Sequence, residues 1–290
     1  MTVLKYFVIT IAAVLSALLA WLPTAVADNG WGEVGTALPG RPQVIGFYSA
    51  GCLTGAATLP LQGEGFQVMR PSRNRYYGHP SLIAFVRRLG QQVAARGEKL
   101  LIGDLAQPRG GPMEYGHGSH QSGLDVDIWF AQVPRWRTLS FRETEALPML
   151  SVILPEAGRL NPERWSPRFR DTLRLAADNP EVERIFVNPI IKQALCRSEG
   201  ASRAWLYKLR PWWGHDEHFH VRLRCPPDSP QCKAQKPLPP GDGCDEDLDR
   251  WAWEVQQAAL RPLMKKPPVE PREPVLPATC EAVLNGYTLH

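Results

Sequence analysis

The sequence contains no G-x-S-x-G elbow, no S-x-x-K pair and no H-E-x-x-H helix, which removes the familiar signatures of acylating-serine hydrolases and of the zincin proteases. It has no C-x-x-C pair, and only six cysteines in 290 residues. No block of one charge sign stands out. The formal net charge is +4 and the basic residues are scattered, which supports neither a nucleic-acid footprint nor a polybasic membrane patch. Internal repeats are absent too. The hydrophobic and charged fractions, 44% and 21%, are those of an ordinary globular protein long enough to bury a substantial core. A single domain over residues 28–290 is expected.

Only one apolar run approaches the length needed to span a bilayer, and it lies at the start. Lys5 precedes an apolar stretch from Phe7 to Leu22, and Ala25-Val26-Ala27 offers small residues for cleavage before Asp28. Residues 1–27 therefore read as a secretory signal peptide, with no stable membrane anchor after cleavage. Export changes the meaning of Cys52, Cys196, Cys225, Cys232, Cys244 and Cys280. In an oxidising compartment an even set without C-x-x-C spacing favours three disulfides over thiolate ligands or a catalytic thiol, with fifteen pairings open.

Short extended candidates run from Gln43 to Tyr48 and from Phe66 to Met69. Ser81 is placed to cap a helix whose apolar residues, Leu82, Phe85, Val86, Leu89 and Val93, recur at helical spacing until Gly97. Leu100 to Asp104 reads as a strand. Helical signal dominates from Phe141 to Cys196, with pieces at Phe169 to Ala177 and Pro189 to Leu195 separated by Asn-Pro breaks. Pro226 to Asp242 is proline-heavy. Leu248, Trp251, Ala252, Val255 and Ala259 form an amphipathic stripe, and Pro267 to Pro277 reads as an extended strap tied down by Cys280.

Five of the seven histidines fall in two short segments about a hundred residues apart: His117 and His120 in GHGSHQSGLDVDI, and His215, His218 and His220 in GHDEHFHVRL. His79 and His290 lie elsewhere and read as ordinary structural or surface residues. The alternation in Leu124 to Ile128 is a strand pattern that puts Asp125 and Asp127 on one face. In the second segment His218, His220 and Arg222 share a face, while Phe219, Val221 and Leu223 turn to the other. Neighbouring strands lie about 5 Å apart, so two such faces suit one cation. One carboxylate and two imidazoles would leave a tetrahedral zinc with a position for water, as catalytic zinc sites have. The remaining imidazoles could then move protons or bond a developing oxyanion. Asp125 reads equally well as a group that orients a histidine.

His120-Gln-Ser-Gly-Leu-Asp-Val-Asp127, with His218-Phe-His220 later, resembles the zinc site of the lysostaphin, D-Ala-D-Ala peptidase and hedgehog group. The extended motifs resemble the penicillin-insensitive murein endopeptidases most closely. The likeness runs from about Cys52 to Cys280 through Arg73-Asn-Arg-Tyr-Tyr-Gly-His-Pro80, Gly103-Asp-Leu and Phe186-Val-Asn-Pro. It implies that His120, Asp127 and His220 hold zinc, that His218 is the catalytic histidine with His215 assisting, and that His117 lies beside or within the coordination shell. It also implies the pairings Cys52 with Cys280, Cys196 with Cys244, and Cys225 with Cys232.

The fold so implied is α+β, with a small antiparallel sheet bearing the zinc site, flanked by helices and disulfide-tied loops. The implied activity is hydrolysis of murein cross-links between D-alanine and diaminopimelate, in the periplasm, without an acylating serine for penicillin to trap. Arg73, Arg75 and Arg222 are candidates to meet substrate carboxylates. Trp212 and Trp213 could line a groove, although core is the commoner fate of a tryptophan. A second, interfacial metal held by some relatives is not carried over, because no histidine lies between His120 and His215; a homodimer stays open. The rival readings are a D,D-carboxypeptidase and a zinc-containing murein-binding module without catalysis.

Overall fold

The computed structural model describes residues 29–261 and 274–287. The leader, the first part of the proline-rich strap and His290 lie outside the described residues. Strands β1 (Gln43–Phe47) and β2 (Ala50–Thr54) make a hairpin. A seven-stranded sheet follows, formed by β3 (Gln62–Gly63), β4 (Phe66–Val68), β5 (Glu98–Ile102), β6 (Asp125–Pro134), β7 (Val182–Val187), β8 (Leu209–Pro211) and β9 (His218–Leu223). Its order is β8-β7-β9-β6-β5-β4-β3. The α+β class holds, and β9 pairs antiparallel with both β6 and β7. The sheet is larger than the small antiparallel one expected, and two of its pairings, β7 with β8 and β4 with β5, are parallel.

The helices are α1 (Pro80–Ala94), α2 (Phe141–Ala146), α3 (Pro167–Asp178), α4 (Pro189–Ser198), α5 (Glu246–Leu260) and α6 (Ala278–Leu284). No described helix is long and apolar enough to cross a membrane. Residues of α1, α3, α4 and α5 share one core cluster with Val126 and Ile128 of β6, Ile185 and Val187 of β7, and Phe219 and Val221 of β9. Each fully buried Leu, Val or Phe of this kind contributes about 1.5–3 kcal/mol of gross burial energy. Because side chains alternate across a strand, filling this face with helices turns the polar residues of β6 and β9 to the other.

Ser81 does not cap α1. Pro80 at the first turn has no N–H, and the donor that needs a partner is the Ser81 backbone amide. It is met by Nδ1 of His79 at 3.3 Å, which also bonds the Ser81 hydroxyl at 2.9 Å. Strand β7 falls inside the stretch that reads as helical. It is six residues long with an irregular register between Val182 and Arg184, so its alternation is broken, and the Asn-Pro breaks on either side resemble helix separators.

Disulfides join Cys52 to Cys280, Cys196 to Cys244 and Cys225 to Cys232. The first fastens α6 to β2 within a satellite cluster containing Trp31, Leu38, Ile45 and Val283. The third closes a small loop immediately after β9.

Candidate active site

Cross-strand register assembles the centre of the site. His218, His220 and Arg222 on β9 stand opposite Trp129, Asp127 and Asp125 on β6. On the other side of β9, Phe186 and Arg184 of β7 stand opposite His220 and Arg222. Three adjacent strands thus contribute to one polar face, and His220 lies in the middle row.

His120 arrives on the loop before β6, with a left-handed backbone at φ 68°. A non-glycine residue held there is strained, and the strain is offset locally. The His120 amide donates to Asp125 Oδ2 at 3.1 Å, and its ring Nδ1 lies 3.0 Å from the Leu105 carbonyl. Gly110 makes this loop possible. Its φ is 68°, and a Cβ there would sit 2.0 Å from the Gln121 carbonyl oxygen. His215 is also left-handed, at φ 53°; its carbonyl accepts from the Asn188 amide at 2.9 Å, and its Nδ1 lies 2.9 Å from the Trp213 carbonyl.

A carbonyl or an ionised carboxylate can only accept, so these contacts assign the ring protons. His120 carries its proton on Nδ1 and leaves Nε2 free, 3.3 Å from Asp127 Oδ1. His220 gives its Nε2 proton to Asp125 at 2.8 Å and leaves Nδ1 free, 3.5 Å from the same Asp127 oxygen. His117 gives its Nε2 proton to Asp104 at 3.1 Å and turns Nδ1 toward Asp127 Oδ2 at 3.5 Å. His218 Nε2 stands 3.6 Å from Asp127 Oδ1. Both His120 Nε2 and Asp127 Oδ1 are buried without a hydrogen-bond partner. Two orphaned buried acceptors facing each other call for a positive charge between them, a metal ion or a proton on His120.

The charges agree. Asp104 is answered by Arg73 and Arg75, both at 3.0 Å, and Asp125 by Arg222 at 2.6 Å. Among the described residues no arginine or lysine pairs with Asp127, which meets imidazoles alone. Burial would raise the Asp104 carboxyl, but His117, Arg73 and Arg75 pull it down to about 2. Burial likewise works against Asp127, yet the surrounding histidines hold it well below the carboxylate range. Burial pushes His220 down to about 3 despite Asp125, and burial with the neighbouring His218 pushes His215 down to about 4, so both present neutral lone pairs. At His120 the order reverses: burial opposes charge, but Asp127, Asp125 and Asp104 outweigh it and favour a positive charge at this spot. The ligand atoms of His117, His120 and Asp127 lie within 4.8 Å of one another and could hold a metal ion.

The site borders a groove of about 570 Å³ that has His117, His215 and His220 in its wall. A larger cleft of about 1500 Å³ lies beneath Pro237–Pro240 and contains no histidine, so the chemistry belongs to the smaller groove. Trp212 and Trp213 are half exposed along that groove, in edge contact with Trp251, while Trp31, Trp129 and Trp205 are buried. Arg73, Arg75 and Arg222, the arginines proposed from sequence for substrate carboxylates, are all engaged by internal carboxylates. His79 stays apart, as a helix cap. Sequence reasoning gave no role to Asp104, Phe186 or Arg184. The Asp104 signal was the Gly103-Asp-Leu motif, in which Gly103 packs so closely on β6 that a Cβ would sit 2.9 Å from Trp129 Nε1.

Free imidazole nitrogens around a buried carboxylate, opening on a groove, define a candidate metal centre on an α+β scaffold. The family described as penicillin-insensitive murein endopeptidase matches residues 44–285. Proteins called penicillin-insensitive murein endopeptidase from Klebsiella pneumoniae (strain 342) and Salmonella heidelberg (strain SL476) are 44% and 43% identical, each over 94% of this chain and 98% of its own length. A relative of the same name from Salmonella typhi is 43% identical over the same shares. The chain belongs to this peptidase family.

Proposed function

We propose that the chain is a periplasmic zinc endopeptidase that hydrolyses the D-alanyl-diaminopimelate cross-links of murein. The observation that carries this reading is the pair of orphaned atoms, His120 Nε2 and Asp127 Oδ1, with His220 Nδ1 beside them and His218 Nε2 3.6 Å from the same Asp127 oxygen. His120, Asp127 and His220 would hold the ion, with His117 at its margin. Zinc suits two imidazoles and a carboxylate, and when bound it supplies Lewis acidity that polarises a carbonyl and acidifies water.

The protein's own groups do the rest. Asp125 holds His220 in the tautomer that frees Nδ1, and the Leu105 carbonyl holds His120 in the tautomer that frees Nε2. His218 takes the proton of the attacking water and passes it to the leaving amine. His215, with its ring centre 5.1 Å from that of His218 and its Nδ1 proton given to the Trp213 carbonyl, presents a lone pair on Nε2 that accepts a hydrogen bond from the attacking water and assists His218. No serine is acylated, which accounts for indifference to penicillin. Three disulfides are consistent with an oxidising compartment such as the periplasm.

Mass spectrometry of sacculi digested by the zinc-loaded protein tests the reading. Cross-linked dimers should fall to monomers. Loss of terminal alanine alone would make it a carboxypeptidase, and unchanged sacculi would make it a binding module.

A further inference from the structure

Three arginines stand near the groove as obvious receptors for an anionic substrate, and each is already neutralised within the fold. Arg73 and Arg75 converge on Asp104 Oδ2, and Arg222 is bonded to Asp125 with its guanidinium 4.2 Å from the Tyr48 ring centre and 5.0 Å from that of Phe186. A fourth, Arg184, lines the same groove as His117, His215 and His220. Among the described residues it forms no ion pair within 4.0 Å, its Nε is buried without a partner, and its Nη2 donates only to the Lys236 carbonyl. The adjacent Glu183 lies 3.2 Å from the Tyr48 hydroxyl, whose shorter bond goes to the Leu223 carbonyl at 2.8 Å, and makes no ion pair with Arg184 within 4.0 Å. Register puts Arg184 directly across from Arg222, an unfavourable pairing of like charges that Asp125 relieves on one side only.

We propose that Arg184 is the receptor for a substrate carboxylate on the leaving-amine side of the scissile bond, and so sets specificity for acidic cross-links. The inference rests on the endopeptidase reading. The leaving amine of a D-alanyl-diaminopimelate bond carries a free carboxylate on the carbon next to its nitrogen, one residue-length or about 4 Å from the attacked carbonyl. Arg184 lies two strand positions, about 7 Å, from Phe186, which pairs with His220 in the ligand row. A long guanidinium side chain and one hydrogen bond close the remainder, and its two terminal nitrogens, of which only Nη2 has a partner among the described residues, offer the paired donors that a carboxylate accepts.

The test compares a cross-linked murein dimer with the same dimer whose acceptor carboxylate is converted to a carboxamide, using the zinc-loaded protein. Wild type should favour the acid by about 10–100-fold in kcat/KM, chiefly through KM. Arg184→Gln should bring the acid-to-amide ratio near one, and Arg184→Lys should restore part of it. Equal use of acid and amide by wild type overturns the proposal, as does an Arg184→Gln variant that loses both substrates in parallel with the ratio intact. If wild type cuts neither dimer, the endopeptidase reading fails. Equilibrium binding then judges Arg184: equal Kd values for acid and amide overturn its role, and a Kd ratio abolished by Arg184→Gln upholds it.

Discussion

Asp125 Oδ1 stands 2.8 Å from Nε2 of His220, diagonally across the β6–β9 pair, and also 2.6 Å from Nε of Arg222. The carboxylate therefore fixes a ring and compensates a buried cation at once. Asp125→Asn keeps the shape but gives up the obligate acceptor. Zinc affinity should fall by about 10–100-fold in competition with a chromophoric chelator, since partners that orient a ligand have effects of this size. Unchanged affinity would mean that His220 is oriented by its packing against Phe186 alone.

His218→Ala removes a proton carrier without removing one of the three proposed ligands. Cross-link cleavage should drop at least about 100-fold while one zinc per chain is retained. Elemental analysis and muropeptide digestion on the same preparation separate this from loss of metal.

Lys192 is fully buried on α4, where its Nζ donates to the Leu209 carbonyl at 2.8 Å. Burial, reinforced by Arg210, pushes its amine from 10.5 down to about 8. Below pH 8 both folded and unfolded chains hold the proton and the full penalty applies. Between about 8 and 10.5 the unfolded chain holds a proton that the folded chain has released, so this residue's contribution to stability rises with pH. Measured against Lys192→Met, wild type should gain about 2–3 kcal/mol between pH 7 and 10.5 in denaturant unfolding. A flat difference across that window contradicts the assignment.

Gly110 and Gly97 form a matched pair of left-handed glycines. A Cβ at Gly110 would meet the Gln121 carbonyl at 2.0 Å, next to His120, whereas at Gly97 it would meet nothing within 4 Å. Gly97→Ala should cost only the left-handed backbone penalty, about 1–2 kcal/mol. Gly110→Ala should cost clearly more and weaken zinc binding as well. Equal costs in chemical denaturation, with zinc affinity untouched, would contradict the fit described for this loop.

Much of this was legible in the residues. Alternation in Leu124 to Ile128 and in His218 to Leu223 identified both central strands and the sharing of faces by Asp125 with Asp127 and His218 with His220, because a side-chain period of two leaves no freedom. The stripe from Leu82 to Val93 located α1. What stayed hidden depends on contacts distant in sequence. The irregular register of β7 hid the strand, and with it Phe186 and Arg184. The capping of α1 passed to His79 because Pro80 shifts the orphan donor by one residue. Nothing local in the sequence says that Arg73 and Arg75 spend their charge on Asp104, or that Arg222 spends its on Asp125; only the fold brings those partners together.

In the proposed reading one divalent ion on His120, Asp127 and His220 is required for cutting cross-links. Dimer-to-monomer conversion should be followed on sacculi by mass spectrometry alongside zinc content, for wild type before chelation, after chelation and after zinc is returned, and for Asp127→Ala. Cleavage should vanish with the metal and return with it, and Asp127→Ala should neither bind zinc nor cut. Full cleavage by the chelated protein, or zinc retention with activity in Asp127→Ala, would contradict the claim.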